Sequence, residues 1–221
     1  MTTASLMGIN SLLAMVFILL AFMLMAARQI QAVLVVFVWQ SIVLALSTFT
    51  LAVVYHSPEL GLVGLITLGS KTVVIPAVLT RTLAPEMRRR REIETAVNLP
   101  ISLLLMLALT ALAYFLVAPY TALAPSAAIN VPVGFAAVLI GVYTLAVRRE
   151  AVAQVLALMA IDNGAFFAGI AITTSSAIAE LAAGLEGIMV VVVVALLTRT
   201  IAQQLGSTDV RGLAELREVS R

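Results

Sequence analysis

Long apolar stretches recur along this chain, and their length decides which folds are open to it. The hydrocarbon core of a bilayer is about 30 Å thick, so a helix that crosses it needs about 20 apolar residues. Seven such stretches occur, near residues 4–26, 31–54, 60–82, 98–118, 132–147, 151–173 and 180–202. The sequence therefore predicts an all-α integral membrane protein with seven transmembrane helices.

The composition agrees with a membrane location. Hydrophobic residues make up 62% of the chain and charged residues 11%, and the mean hydropathy is +1.14. Soluble proteins average about 45–50% apolar and about 25% charged residues. The net charge of +2 could suggest nucleic acid as a partner, but basic and aromatic residues do not alternate as such binding requires. We therefore expect no nucleic acid among its partners.

The arginines predict the orientation of the helices. Cytoplasmic loops of membrane proteins carry an excess of Lys and Arg. Every arginine lies at the end of, or after, the first, third, fifth or seventh apolar stretch. The loops on the other side, at 56–59, 119–132 and 174–180, contain neither Lys nor Arg. This pattern predicts an odd number of spans, with the N-terminus outside and the C-terminus in the cytoplasm.

Four segments follow from this pattern. Residues 1–83 form a three-helix block, 84–131 a basic cytoplasmic loop with a connector helix, 132–202 a second three-helix block, and 203–221 a cytoplasmic tail. The four arginines at 88–91 either bind anionic lipid head groups or serve only as a topology signal. The tail is predicted to form a short helix, which docks on a neighbour or lies at the membrane interface, and the alternative is a frayed tail.

Three ionisable side chains lie inside the predicted spans: Lys71, Asp162 and Glu186. A charge at the centre of a bilayer costs roughly 2.5–3.5 kcal/mol on insertion scales, so such residues usually have a function. Small and polar residues recur at helical spacing on the faces that carry these charges. We therefore expect all three charges to point into the protein or into a wet cavity.

Four polar residues are candidates to support these charges: Gln40, Thr67, Asn163 and Thr173. Pro76, about one turn beyond Lys71, is expected to free a backbone carbonyl and bend the third span. Two roles for the charges stay open at this point. They form either a pair that passes a proton when something moves it, or a structural ion pair that only joins helices. Helical spacing gives the direction of each side chain but not the distances between them.

No residue of this chain is predicted to be catalytic. There is no nucleophile elbow, no phosphate-binding loop and no pair of histidines at metal-ligand spacing. The chain has no cysteine and one histidine, which excludes disulfides, cysteine-ligated iron–sulfur clusters and thiolate zinc sites. We expect no cofactor or metal in this chain, and any redox chemistry to belong to a partner.

Three segments, 64–83, 157–172 and 206–218, resemble the hydrogenase-4 component E family, which comprises membrane subunits of formate hydrogenlyase-like complexes. The resemblance extends over nearly the whole chain and includes the span count. Where the family usually has Met-Glu-Asn-Gly, this chain has Ile-Asp-Asn-Gly at 161–164. The acid is retained, but its side chain is shorter by one methylene.

Spans five to seven are in turn similar to the K subunit of respiratory complex I and to the C subunit of Mrp-type antiporters. This resemblance implies that Asp162 and Glu186 take the positions of two K-subunit glutamates on the hydrophilic axis that carries protons through the membrane. Lys71 would match a lysine of the component E family itself. The implied partners are lipids, antiporter-like membrane subunits, and the membrane anchor of a peripheral arm that holds iron–sulfur clusters and, in a hydrogenase, a nickel–iron centre.

The expected protein is thus a multi-pass, non-catalytic subunit of an oxidoreductase complex in the plasma membrane of a bacterium or archaeon. Its expected function is to form part of the axis for redox-driven translocation of protons or sodium ions. Two alternatives stay open. One is a non-conducting subunit that links the antiporter-like and membrane-anchor subunits, and the other is a component of an Mrp-type sodium/proton antiporter.

Overall fold

The computed structural model of the protein describes residues 3–81, 97–121, 129–149, 151–171 and 191. These residues form six long helices: α1 Thr3–Ala26, α2 Ile30–Val54, α3 Pro58–Arg81, α4 Leu99–Thr121, α5 Asn130–Val147 and α6 Ala151–Gly169. All six are long and apolar enough to cross a membrane. The predicted all-helical, multi-pass fold is therefore confirmed for these six spans.

The seventh predicted span, 180–202, lies outside the described residues except for Val191. Val191 is helical and 1% exposed, and it lines a small crevice with Val74, Ile75 and Val78 of α3. The basic run at 88–91 and the tail also lie outside the described residues. The total of seven spans, the orientation of the termini and the segment boundaries remain predictions.

Several helix ends differ from their predicted positions, and local features account for two of these differences. α3 begins at Pro58, because Ser57 caps it: the Leu60 amide donates to Ser57 Oγ at 3.4 Å. Proline suits the first turn, where its missing N–H is not needed. α6 ends at Gly169, before the predicted end at 173, and glycine is a poor helix former.

The core of the bundle lies around α2 and α5. α2 packs against α1, α3 and α6, and α5 packs against α1, α4 and α6. The rings of Phe17 in α1 and Phe167 in α6 stack with their centroids 4.2 Å apart, and both side chains are fully buried. The two predicted three-helix blocks are therefore packed against each other, and α6 lies against α2.

α5 and α6 approach so closely that only glycine fits at their contact. A Cβ atom on Gly164 would lie 2.8 Å from the Val138 amide nitrogen and 2.9 Å from the Gly134 carbonyl oxygen. A Cβ atom on Gly134 would lie 2.5 Å from the Ala168 amide nitrogen. Small residues let transmembrane helices pack backbone against backbone. This contact fixes the turn of α6 that carries Asp162.

α4 lies at the periphery of the bundle. It packs mainly on α5, where the Tyr143 hydroxyl donates to Ser102 Oγ at 2.8 Å. Its outward side chains are apolar and largely exposed, as shown by Leu104 at 70% and Phe115 at 77%. Such a surface is stable against lipid tails, which are as apolar as leucine.

Candidate functional site

A π-helical segment, Ser70–Val74, interrupts α3 and contains Lys71. The Ile75 amide donates to the Ser70 carbonyl, five residues earlier, instead of four. Pro76 follows directly. Proline has no N–H to donate, and its ring clashes with the carbonyl four residues before it, so regular α-helical bonding cannot continue through this position. The predicted disturbance at Pro76 thus takes the form of a π turn, a feature that is frequent at functional sites.

Lys71 and Asp162 form an ion pair between α3 and α6. Lys71 Nζ lies 2.6 Å from Asp162 Oδ2, a short charge-assisted hydrogen bond. The Lys71 side chain is 3% exposed, whereas the Asp162 side chain is 39% exposed. Lys71 therefore points into the protein, as predicted, and Asp162 lies at the edge of the described bundle. The structure supplies the contact that helical spacing alone could not establish.

Phe166 also lies near the Lys71 ammonium group. It lies one helical turn after Asp162, and Lys71 Nζ is 5.5 Å from the centroid of its ring. A cation within about 6 Å of an aromatic ring is attracted by the negative face of the π system. α6 therefore offers the ammonium group two partners, a carboxylate and an aromatic ring.

Asn163 faces α2, while its neighbour Asp162 contacts α3. Asn163 Nδ2 donates to Ser41 Oγ at 3.1 Å and lies 3.5 Å from Gln40 Oε1. All three side chains are fully buried. The structure thus brings Gln40 and Asn163 together, at the turn of α6 that also holds the ion pair.

The remaining sequence candidates have different outcomes. Thr67 is fully buried one turn before Lys71, as expected for the inward face of α3. Glu186 and Thr173 lie outside the described residues. The predicted role of Glu186 in ion translocation and that of Thr173 in supporting the charges remain predictions.

Ser41 was missed by the sequence reasoning. Its hydroxyl donates to the Phe37 carbonyl at 3.0 Å, which is what an isolated serine in an apolar helix commonly does. Its second role, as acceptor for Asn163, depends on how α2 and α6 pack. No feature of the sequence around Ser41 indicates that contact.

A second buried polar cluster, Asn10, Ser47 and Asn130, was also missed. Asn10 Nδ2 donates to Asn130 Oδ1 at 2.6 Å, and Ser47 Oγ donates to Asn10 Oδ1 at 2.6 Å. Asn130 Nδ2 lies 3.3 Å from Ser47 Oγ and closes the ring. Each side chain is bonded to the other two, so the cluster joins α1, α2 and α5. This closed set fixes the register of three helices.

Arg148, which the sequence predicts to be a topology signal, also makes hydrogen bonds inside the protein. Its Nη2 donates to the carbonyl oxygens of Leu24, Met25 and Ala27 at 3.0, 2.7 and 2.7 Å, and the side chain is 2% exposed. A cation at the C-terminal end of a helix satisfies its last carbonyls and complements its dipole. Arg148 therefore ties the end of α5 to the end of α1.

The site around Lys71 joins an enclosed cation to a partly exposed carboxylate. In the part of the chain that the structure describes, no group of three or more His, Cys, Asp or Glu residues could hold a metal ion. The site consists of a carboxylate and an ammonium group. One carboxylate oxygen accepts a hydrogen bond from the enclosed ammonium group, and the carboxylate side chain is partly exposed.

Comparison with known proteins finds one informative relative. No family model matches the chain. No solved structure matches it either. It is 31% identical over 193 residues to the uncharacterized protein Rv0085 of Mycobacterium tuberculosis, and the aligned region covers 86% of this chain and 88% of the mycobacterial protein.

Proposed function

This chain belongs to the same family as that mycobacterial protein, and we propose that it is a membrane subunit of a complex I-like respiratory complex of the membrane-bound hydrogenase type. Its role in that complex is to form part of the hydrophilic axis for redox-driven translocation of protons or sodium ions. Partner subunits carry the redox centres, and this chain contributes charged and polar side chains without catalysing a reaction.

The single observation that carries the proposal is the 2.6 Å contact between Lys71 Nζ and Asp162 Oδ2. The pair joins α3, in the first predicted block, to α6, in the second. Both residues lie near the middle of apolar spans, where isolated charges are costly. Because the two charged groups are in contact, a change of charge on one alters its electrostatic attraction to the other.

The two side chains of the ion pair differ in exposure, and this difference indicates the side from which a proton would reach the pair. Lys71 is enclosed, whereas 39% of the Asp162 side chain is exposed. A carboxylate in contact with lipid at the membrane centre is strongly disfavoured, so we place water or a polar partner against this side in the assembled complex. A proton that arrives there neutralises Asp162 and weakens its hold on Lys71. The ammonium group can then shift away from Asp162.

Two features around Lys71 allow such movement. The π-helical segment interrupts the regular α-helical bonding around Lys71, and such segments are frequent at functional sites. The ring of Phe166 offers the ammonium group a second favourable contact close to the first. Redox work in partner subunits would bias the equilibrium between the two positions.

A second candidate function is a non-conducting scaffold between the antiporter-like and membrane-anchor subunits. The observation that favours it is the same tight contact, since a closed ion pair also holds α3 against α6. A component of an Mrp-type antiporter is less well supported. Its C-like subunit would need only the last three spans, whereas the ion pair here depends on α3.

The proposal is tested by identifying the proteins that accompany this chain. Native membranes are solubilised gently, the chain is isolated through a C-terminal tag, and its companions are identified by mass spectrometry. An unrelated multi-pass protein with the same tag serves as control. We expect large antiporter-like subunits together with iron–sulfur or nickel–iron proteins. Recovery of the chain alone, or only with copies of itself, would contradict the proposal.

A further inference from the structure

Gln40 and Asn163 each keep one polar atom that has no hydrogen-bond partner in the described part of the chain. These atoms are Gln40 Nε2 and Asn163 Oδ1, and both side chains are fully buried. A buried polar group without a partner costs roughly 1–3 kcal/mol. In native proteins such groups commonly mark the place of a bound water or ion.

The hydrogen bonds around Asn163 decide which atoms are left over. The Ser41 hydroxyl donates its hydrogen to the Phe37 carbonyl, so its oxygen is available only as an acceptor. The nitrogen of Asn163, and not its oxygen, must therefore face Ser41 at 3.1 Å. The second hydrogen on this nitrogen is directed to Gln40 Oε1 at 3.5 Å. One amide oxygen on α6 and one amide nitrogen on α2 remain.

We propose that an ordered water molecule binds between Gln40 and Asn163. It accepts a hydrogen bond from Gln40 Nε2 and donates one to Asn163 Oδ1. Water serves one donor and one acceptor at once, and a buried site needs 2–4 such polar partners. A hard cation would require oxygen ligands from both sides, and the Gln40 nitrogen does not supply one. The ligand chemistry of the site is thus that of water.

The water extends the polar site from the ion pair between α3 and α6 to α2. Asn163 directly follows Asp162 along α6, so a shift of the backbone at Asp162 on a change of charge also moves Asn163 and its water. This consequence rests on the proposed function, whereas the binding of the water does not. Gln40 is then a positioning residue, which holds the water without changing its own charge.

A high-resolution electron cryomicroscopy map of the wild-type protein in its complex tests the binding directly. We expect density within hydrogen-bond distance of both Gln40 Nε2 and Asn163 Oδ1, and its loss in Gln40→Met, which keeps the length of the side chain. Thr48→Val on the same helix is the matched control and should keep the density, because within the described residues Thr48 bonds to the Leu44 carbonyl alone. A wild-type map that shows other buried waters but none here would overturn the proposal.

Ion transport per redox turnover tests the role of Gln40 in the path. We expect Gln40→Met to lower this ratio and Thr48→Val to leave it at the wild-type value. If Gln40→Met kept the wild-type ratio, Gln40 would not belong to the path. If Asp162→Asn also kept the wild-type ratio, the proposed function itself would fail, and the density would still decide whether the water is bound.

Discussion

Replacing Asp162 and replacing Lys71 should lower the stability of the protein by different amounts. Asp162→Asn leaves an enclosed ammonium group without its carboxylate, and we expect a loss of about 3 kcal/mol in the free energy of unfolding, at the lower end for a broken buried pair. Lys71→Met should cost less, because the Asp162 carboxylate keeps its exposed side. Unfolding in lipid bicelles with increasing denaturing detergent measures both values.

The control for this pair is Thr50→Ala. The Thr50 hydroxyl donates only to the Leu46 carbonyl of its own helix, so the change should stay within about 0.5 kcal/mol. The double variant of Lys71 and Asp162 should lose less than the sum of the two single changes, because it removes both charges together. Equal losses in the two single variants would contradict the unequal burial of the pair.

The sequence alone identified Lys71 and Asp162, because a charged residue inside an apolar stretch can be recognised from the linear sequence. Their contact was not predictable, since it depends on the distance between α3 and α6. Asn10 and Asn130 went unnoticed for a different reason: they lie near the ends of predicted spans, where polar residues are common. Only the packing of α1, α2 and α5 turns them into one buried cluster.

The contact between α5 and α6 positions the ion pair through Gly164. We expect Gly164→Ala to destabilise the protein by about 1–3 kcal/mol, the range for overpacking, because its Cβ would meet the backbone of α5 below 3.0 Å. The same unfolding assay measures the loss. Gly169→Ala on α6 is the matched control, since a Cβ there would meet nothing within 4 Å. If Gly164→Ala left the free energy of unfolding unchanged, α5 and α6 would have to lie further apart than these distances imply.

The π-helical segment of α3 depends on Pro76. Pro76→Ala restores the missing N–H and allows regular α-helical bonding, which would rotate Lys71 by about one residue, or 100°, relative to the following turns. We expect the coupling energy between Lys71 and Asp162, measured by a double-mutant cycle, to fall in the Pro76→Ala background. Pro119→Ala in α4 is the control and should leave this coupling unchanged. If the coupling energy were unchanged in Pro76→Ala, the π turn would not contribute to the interaction between Lys71 and Asp162.

The helices were predicted closely because apolar length alone defines a span, and α1, α2 and α5 begin and end near the expected residues. The π segment was not predicted in its observed form. Pro76 reveals that regular bonding must stop, but a bend, a kink and a π turn all satisfy that requirement. The choice among them depends on the neighbours of α3, which a linear pattern does not contain.

The arginine pattern predicts the topology of the whole molecule. We expect a phosphatase fused at residue 125 to be active, because that loop is predicted to lie outside. Green fluorescent protein fused after Arg221 should fluoresce in the cytoplasm. A phosphatase that is active after Arg221 would contradict an odd number of spans and the predicted seventh helix.

The central claim is that the charge of Asp162 is needed for ion translocation and not only for assembly. The most direct measurement is ion transport per redox turnover in membrane vesicles that contain the complex with Asp162→Asn. Assembly is checked by copurification, and Asp162→Glu, which keeps the acid, is the matched control. We predict normal redox turnover with a clear loss of transport in Asp162→Asn and retained transport in Asp162→Glu. A wild-type ratio of transport to turnover in Asp162→Asn would contradict this account and favour the scaffold.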